Sequence, residues 1–225
     1  MAATDSTAAQ DPGEMFDVME PPPSQWDPPT SRPVGTGAIK ARAAVHRDRD
    51  WHRSVHVWLL DPVGRALLLQ KRSMKKDTFP GRWDISVAGH IGAGDDARGA
   101  AVREAEEELG IQVSEAALAS GFVGCLPAEM AARGGCNCYE EVFVLVWDAR
   151  DGFAPGAAEV DAVKWLGVDA LEAALARADE SVVPRADGYA ELFFPACRRL
   201  CDEHAAARRD GGCSCIPMPA WFGLG

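Results

Sequence analysis

Glu104, Glu107 and Glu108 stand at i, i+3 and i+4 in Asp96 to Leu109, a stretch that reads as a helix ended by Gly110. That spacing puts three carboxylates on one helical face. They fall in the last turns, where the helix dipole disfavours anions and where like charges repel. A divalent cation with oxygen ligands would gather them. The ordinary alternative is a solvated acidic helix, and the spacing argues against it.

On the opposite face, Val102, Ala105 and Leu109 form an apolar stripe that can pack on a core. Asp95 or Asp96 can cap the helix N-terminus. Ahead of it runs Ala88-Gly89-His90-Ile91-Gly92-Ala93-Gly94. Its glycines let the backbone turn sharply and approach a ligand closely. The expected unit is strand, glycine-rich loop, acid-faced helix.

Gly89, Asp95, Arg103-Glu104, Glu107-Glu108, Gly110 and Ile111 together resemble the signature box of the Nudix superfamily. Two positions depart from it: Asp95 replaces a Glu, and Ala105 is small for an apolar position. The resemblance implies an α/β (α+β) fold, with a mixed β-sheet in an α/β/α sandwich. It implies hydrolysis of a diphosphate linked to another group, with Mg²⁺ or Mn²⁺ as cofactor. Glu104, Glu107, Glu108 and the backbone carbonyl of Ala88 would then hold metal, and Glu104 could serve as the base. Arg103 would brace the carboxylates through a bidentate ion pair. Gly89, Asp95 and Gly110 would shape the box. Glu107 and Glu108 are both expected to be exposed to the site. Glu159 is the first choice for a further acidic ligand, and Glu140 or Glu141 the second.

A narrower resemblance covers Leu67 to Arg72, Lys75-Lys76, Phe79-Pro80-Gly81 and Trp83, which are similar to the type I isopentenyl diphosphate isomerases. These share the Nudix fold but move a double bond. Their metal is held by three histidines and two glutamates one residue apart. His46, His52 and His90 fall near the matching histidines, with Glu141 and Tyr139 at the place of the glutamates. That set would be a second metal site. The catalytic cysteine of the isomerases falls on Ala88, whose methyl carries no proton to transfer. The chain therefore resembles plant-type, isomerase-like Nudix hydrolases over His46 to Phe194. Isomerase activity, or an inactive diphosphate-binding module, are the alternatives.

Arg72, Lys75 and Lys76 lie just before the glycine loop and are expected to grip the diphosphate. Trp51, Trp58, Trp83, Phe122 and Phe143 are candidates to stack on the attached group. The expected partner is a small-molecule diphosphate. A net charge of −11, from 23 basic and 34 acidic residues, argues against a nucleic-acid polymer. No apolar run is long enough for a membrane span.

Residues 1–40, with Pro21-Pro22-Pro23 and Pro28-Pro29, read as largely disordered apart from a short strand at Glu14 to Met19. Acidic residues there fit a transit peptide badly, so the expected compartment is cytoplasmic. The domain is expected over 41–204, with a tail at 205–225. Strands are expected at Ser54–Asp61, Ala66–Gln70, Ile85–Ala88, Gly121–Leu126, Tyr139–Trp147 and Val160–Leu166. Helices are also expected at Ala170–Ala178 and Tyr189–His204. Seven cysteines include the pairs Cys136/Cys138 and Cys213/Cys215. Neither C-x-C pair is expected to hold a structural zinc. Cys197 and Cys201 are expected to pack inside a helix.

Overall fold

A computed structural model describes residues 13–76, 78–156 and 159–209. Its elements in chain order are β1 (Met15–Met19), β2 (Gly35–Ala41), α1 (Arg42–Asp48), β3 (His52–Asp61) and β4 (Ala66–Arg72). Then come β5 (Trp83–Asp84), β6 (Val87–His90), α2 (Ala97–Leu109), α3 (Glu115–Gly121) and β7 (Phe122–Glu129). After a 3-10 turn at Ala131–Arg133, β8 (Asn137–Val146), β9 (Val160–Gly167), α4 (Val168–Ala176) and α5 (Tyr189–Arg209) complete the described elements.

Strand β3 organises the main sheet. Its pairing with β8 is parallel along nearly its whole length, from His52↔Cys138 to Leu60↔Val146. Its other edge forks. Ser54 to Val57 pair with β6, whereas Leu60 and Asp61 pair with β4. β4 continues outward with β5 and β9, and β7 closes the other side on β8. The sheet is mixed, as expected.

Alternation along the strands assigns the two faces. Trp58 and Leu60 of β3, with Leu67 and Leu69 of β4, bury against Leu171 of α4 and Phe193, Phe194, Cys197 and Cys201 of α5. Val55, Val57, Leu59 and Leu68 bury on the other face against Ala101, Ala105 and Leu109 of α2 and Leu118 of α3. The result is the α/β/α sandwich. Cys197 and Cys201 are core residues, as their helical spacing suggested.

Two expectations need correction here. The segment expected to be largely disordered contains an antiparallel ladder, Met15↔Ala41 to Asp17↔Ile39, which includes the one strand anticipated there. Phe16 explains the order: it is fully buried and stacks on His52 at 5.2 Å between ring centroids. Of the expected strand Ile85–Ala88 only Val87 and Ala88 lie in a strand, β6; Ile85 and Ser86 separate it from β5, and the two short strands pair with different neighbours. No described helix is long and apolar enough to cross a membrane. Cys213 and Cys215 lie outside the described residues.

Candidate active site

Helix α2 starts and stops where its sequence dictates. The Asp96 side chain accepts from the backbone N–H groups of Arg98 and Gly99. Gly110 ends the helix in the left-handed region, at φ 65°, and donates its N–H to Glu106 O at 3.0 Å. Asp95 is exposed and braces the loop from outside, its carbonyl accepting from Arg53 Nη2 at 2.9 Å.

The carboxylates divide in a way the spacing concealed. Glu104 and Glu108 share the buried face with Ala101 and Ala105, and only Glu107 is exposed. Glu108 fills the fork in the sheet. Its Oε2 accepts from Gln70 Nε2 of β4 at 2.8 Å and from Ala88 N–H of β6 at 2.9 Å. The expectation of an exposed Glu108 is therefore corrected. Its other oxygen, Oε1, is buried without a hydrogen bond, and Lys76 Nζ stands 3.7 Å away.

Glu104 lies against Gly89 so closely that a Cβ there would fall 2.1 Å from its Cδ. The box glycine is thus the floor on which this carboxylate rests. Arg103 Nη1 donates to Glu104 Oε1 at 2.8 Å and stands 3.6 Å from Glu107 Oε2. Its Nη2 turns to His90 O, so the brace is one shared nitrogen rather than a bidentate fork. Glu159, on the turn before β9, reaches the same place and pairs with Lys76 Nζ at 2.5 Å. Burial, then the charge of Glu108, pushes Glu104 up to about 8. Burial pushes Glu108 up to about 7 against the pull of Lys76. Two carboxylates whose burial and crowding disfavour their charged forms, with one oxygen left without a hydrogen bond, make a donor set that a hard divalent cation would relieve and hold ionised.

Arg103, Glu104, Glu107 and Glu159 line one wall of a cavity of about 440 Å³, and Glu108 is buried beside it. Arg72 and Lys76 also line it, whereas Lys75 is exposed and outside it. Most of Arg72 is committed: Nη1 donates to Asp84 at 2.8 Å, and Nε and Nη2 donate to Thr78. The far wall holds Phe79, Asp84, Arg185, His56 and Glu140. Of these only Glu140, a second choice for an acidic ligand, and Phe79 were singled out in the sequence; Asp84, Arg185 and His56 were not. Arg185 pairs with Asp84. Burial would raise Asp84, but Arg185 and Arg72 hold it below the usual carboxylate range. Tyr189 Oη accepts from Trp58 Nε1 at 2.8 Å and so donates to His56 Nδ1 at 3.2 Å. Burial and Arg185 lower His56 to about 3, so it is neutral. Burial raises Glu140 to about 8, and its Oε2 has no hydrogen-bond partner. None of the five aromatics expected to stack on substrate lines the cavity; Phe79 does.

Register decides the second metal-binding set. Cys138 pairs with His52 and Glu140 with Ser54, so their side chains share the cavity side of the sheet. Tyr139 and Glu141 point the other way. The two residues, one apart, that meet the histidines are therefore Cys136 and Cys138, not Tyr139 and Glu141. Cys136 Sγ lies 3.6 Å from His90 Nε2 and 3.3 Å from Cys138 Sγ; Cys138 Sγ lies 3.2 Å from His52 Nε2. A hydrogen bond from Cys138, followed by contacts with the histidines, holds the Cys136 thiol well below its usual range. The signal was present in the C-x-C spacing, but only tertiary pairing gave it partners.

A forked mixed sheet carrying this carboxylate box defines a class, and the comparisons agree with it. The NUDIX domain family matches residues 50–186, and the chain belongs to that family. It is 38% identical over 180 residues to Nudix hydrolase 3 of Arabidopsis thaliana. That alignment covers 77% of this chain but only 23% of the relative, so the chain spans about a quarter of that protein's length. It is 28% identical over 144 residues to the isopentenyl-diphosphate Delta-isomerase of Brevibacterium linens, covering 64% of this chain and 75% of that one. The crystal structure of DR0079 from Deinococcus radiodurans matches the fold with a TM-score of 0.54 at 23% identity, over 82% of this chain and 99% of that one.

Proposed function

We propose that the protein is a divalent-metal-dependent hydrolase that cleaves a diphosphate linked to another moiety, a nucleoside or prenyl diphosphate derivative. The observation that carries this reading is the convergence of Glu104, Glu107 and Glu159 on one cavity, with Glu108 buried beside them on the same helix and its Oε1 without a hydrogen bond. These four, with the carbonyl of Ala88, would hold Mg²⁺ or Mn²⁺. Bound there, the ion supplies charge neutralisation for the diphosphate and acidifies a water molecule.

The chain's own residues do the rest. Glu104 accepts the proton of the attacking water as the new P–O bond forms and the bridging P–O bond breaks. Arg103 keeps Glu104 oriented, and Gln70 with the Ala88 N–H keeps Glu108 oriented. Lys76 offsets the crowded negative charge, and a substrate phosphate can draw it from Glu159. Arg185, Asp84 and Phe79 face the attached group across the cavity.

The isomerase reading has one specific observation in its favour, the similarity to the isomerases over 144 residues. Against it stands Ala88 at the position of the catalytic thiol. Incubation with Mg²⁺ and a panel of nucleoside diphosphate sugars, dinucleotides, modified nucleotides and prenyl diphosphates separates the readings. Phosphate or monophosphate release from at least one member is the expected result. Conversion of isopentenyl to dimethylallyl diphosphate without release would replace this function with isomerisation. Binding without turnover would reduce it to a binding module.

A further inference from the structure

A cavity of about 440 Å³ exceeds what a diphosphate alone fills, so it takes a substrate with a sizeable attached group. The wall opposite the carboxylates is built for hydrogen bonding. It offers Asp84, Arg185, His56 and Glu140, and among the described residues no leucine or isoleucine lines the cavity. Asp84, His56 and Glu140 are buried, and the Arg185 side chain is only 10% exposed. We propose that Arg185 and Glu140 together form a subsite for a hydroxyl of the group attached to the diphosphate, and that Arg185 makes the site select a hydroxylated ring over a prenyl chain. The inference rests on the diphosphate reading above and narrows it.

Arg185 is held in place by the protein itself. Its loop is tied to β5, with Trp83 N–H donating to Ser181 O at 2.8 Å and Val183 N–H donating to Trp83 O at 2.9 Å. Arg185 Nε donates to Val183 O at 3.3 Å, Nη2 pairs with Asp84, and Cζ lies 5.9 Å from the centroid of the Tyr189 ring. These contacts engage two of the three guanidinium nitrogens and leave Nη1 for a ligand. A planar fork fixed in this way has little side-chain freedom left to lose on binding. Ion pairing alone does not account for it. Asp84 already accepts from Arg72 Nη1 at 2.8 Å and from Ile85 N–H at 2.9 Å. Two buried guanidinium groups thus share one carboxylate, which leaves an excess of positive charge in this wall.

Glu140 supplies the other half. Its Oε2 is buried without a hydrogen bond, 3.6 Å from His56 Nδ1. His56 cannot satisfy it, because that nitrogen is engaged by the Tyr189 hydroxyl at 3.2 Å. Burial raises the Glu140 carboxyl and Arg185 opposes the rise, yet the ion pair of Arg185 is with Asp84 and not with Glu140. The two groups are close enough to interact and too far apart to pair. A hydroxyl between them satisfies both, accepting from Arg185 Nη1 and bonding to Glu140 Oε2. An isoprenyl chain offers neither contact and would leave both groups desolvated and unmatched.

The test uses the full chain and three compounds that differ only in the group on the diphosphate: uridine 5′-diphosphate, glucose 1-diphosphate and dimethylallyl diphosphate. Binding is measured by titration calorimetry with Ca²⁺, and hydrolysis with Mg²⁺ is followed separately. At least one hydroxylated ligand should bind about tenfold or more tightly than dimethylallyl diphosphate, and the tighter of the two tells whether the ring is a ribose or a hexose. Arg185→Met should erase most of that preference while leaving the affinity for dimethylallyl diphosphate within about threefold. Arg185→Lys keeps a cation for Asp84, which guards against a folding defect, and without the planar fork it should lose most of the preference too. A purely structural role would weaken all three ligands alike. An equal loss across the three in folded variants would overturn the proposal. So would a preference unchanged in both variants, or wild-type protein that binds dimethylallyl diphosphate as tightly as the others. Selective binding without hydrolysis would refute the hydrolase function and leave the subsite standing, whereas hydrolysis without selectivity would do the reverse.

Discussion

Among the residues of the box, Glu108 has the most constrained position. It is 1% exposed, and one of its oxygens is fully used by Gln70 and Ala88 while the other is free. A glutamine fits the same space and keeps an acceptor for those donors, but it removes the charge that a cation needs. Glu108→Gln should therefore fold normally and lose roughly a hundredfold or more in kcat/KM, about 2.7 kcal/mol of transition-state stabilisation. Steady-state assays with Mg²⁺, alongside circular dichroism, check this. Wild-type turnover in that variant would remove Glu108 from the site. Glu107, on the exposed side of the helix, should show its effect chiefly through metal affinity.

At the scale of elements, β6 and α2 act as one device. Gly89 in the strand leaves a gap that Glu104 from the helix fills. An added methyl would meet Glu104 Cγ, Cδ and Oε1 between 2.1 and 2.4 Å, and the side chain, not the backbone, must give way. Gly89→Ala should consequently displace Glu104 at a stability cost of about 1–3 kcal/mol. Its turnover should fall well beyond what that loss of folded protein explains. Thermal melts and Mg²⁺-dependent rates on the same preparation test the point. An unaltered rate would show that Glu104 does not need its floor. The cap residues Asp96 and Gly110 fix where this helix begins and ends, and so fix the height at which Glu104 and Glu108 meet β6.

Across the whole molecule, the site is assembled at a fault in the sheet. β3 serves β6 at one end and β4 at the other, and buried acids occupy the gap. Burying them has a pH signature. Glu104, Glu108 and Glu140 release protons at about 8, 7 and 8 in the folded protein, against a reference value of 4.5. Their raised values stabilise the fold fully below the unfolded value, and that contribution is lost as pH rises through 7 to 8. His56 and His90, lowered from 6.5 to about 3 and 4 by burial, act in the opposite sense, but only below about 6.5. Between pH of about 6.5 and 8 the three carboxylates outweigh the Cys136 thiol, whose lowered value acts in the opposite sense. The melting temperature of metal-free protein should fall over that window, and Mg²⁺ should restore it by binding the native state. A flat or rising profile by calorimetry would contradict the buried-acid arrangement.

The limits of α2, most core strands and the box carboxylates were legible from spacing and capping, whereas the three histidines came from the resemblance to the isomerases and the short helices α1 and α3 were not foreseen. Strand β1 was legible too, but its ladder with β2 was not, since its order comes from Phe16 packing on distant histidines. The split of Glu104 and Glu108 from Glu107 depends on the fork in β3. The choice of Cys136 and Cys138 over Tyr139 and Glu141 depends on the register of β8 against His52. Lys75 and Arg185 changed places as site residues because loops, not sequence proximity, set what reaches the cavity. The linear chain determined which chemistry was available and where each element starts. Only the folded arrangement decided which side chains lose water together, and desolvation is what turns neighbouring acids, imidazoles and thiols into sites.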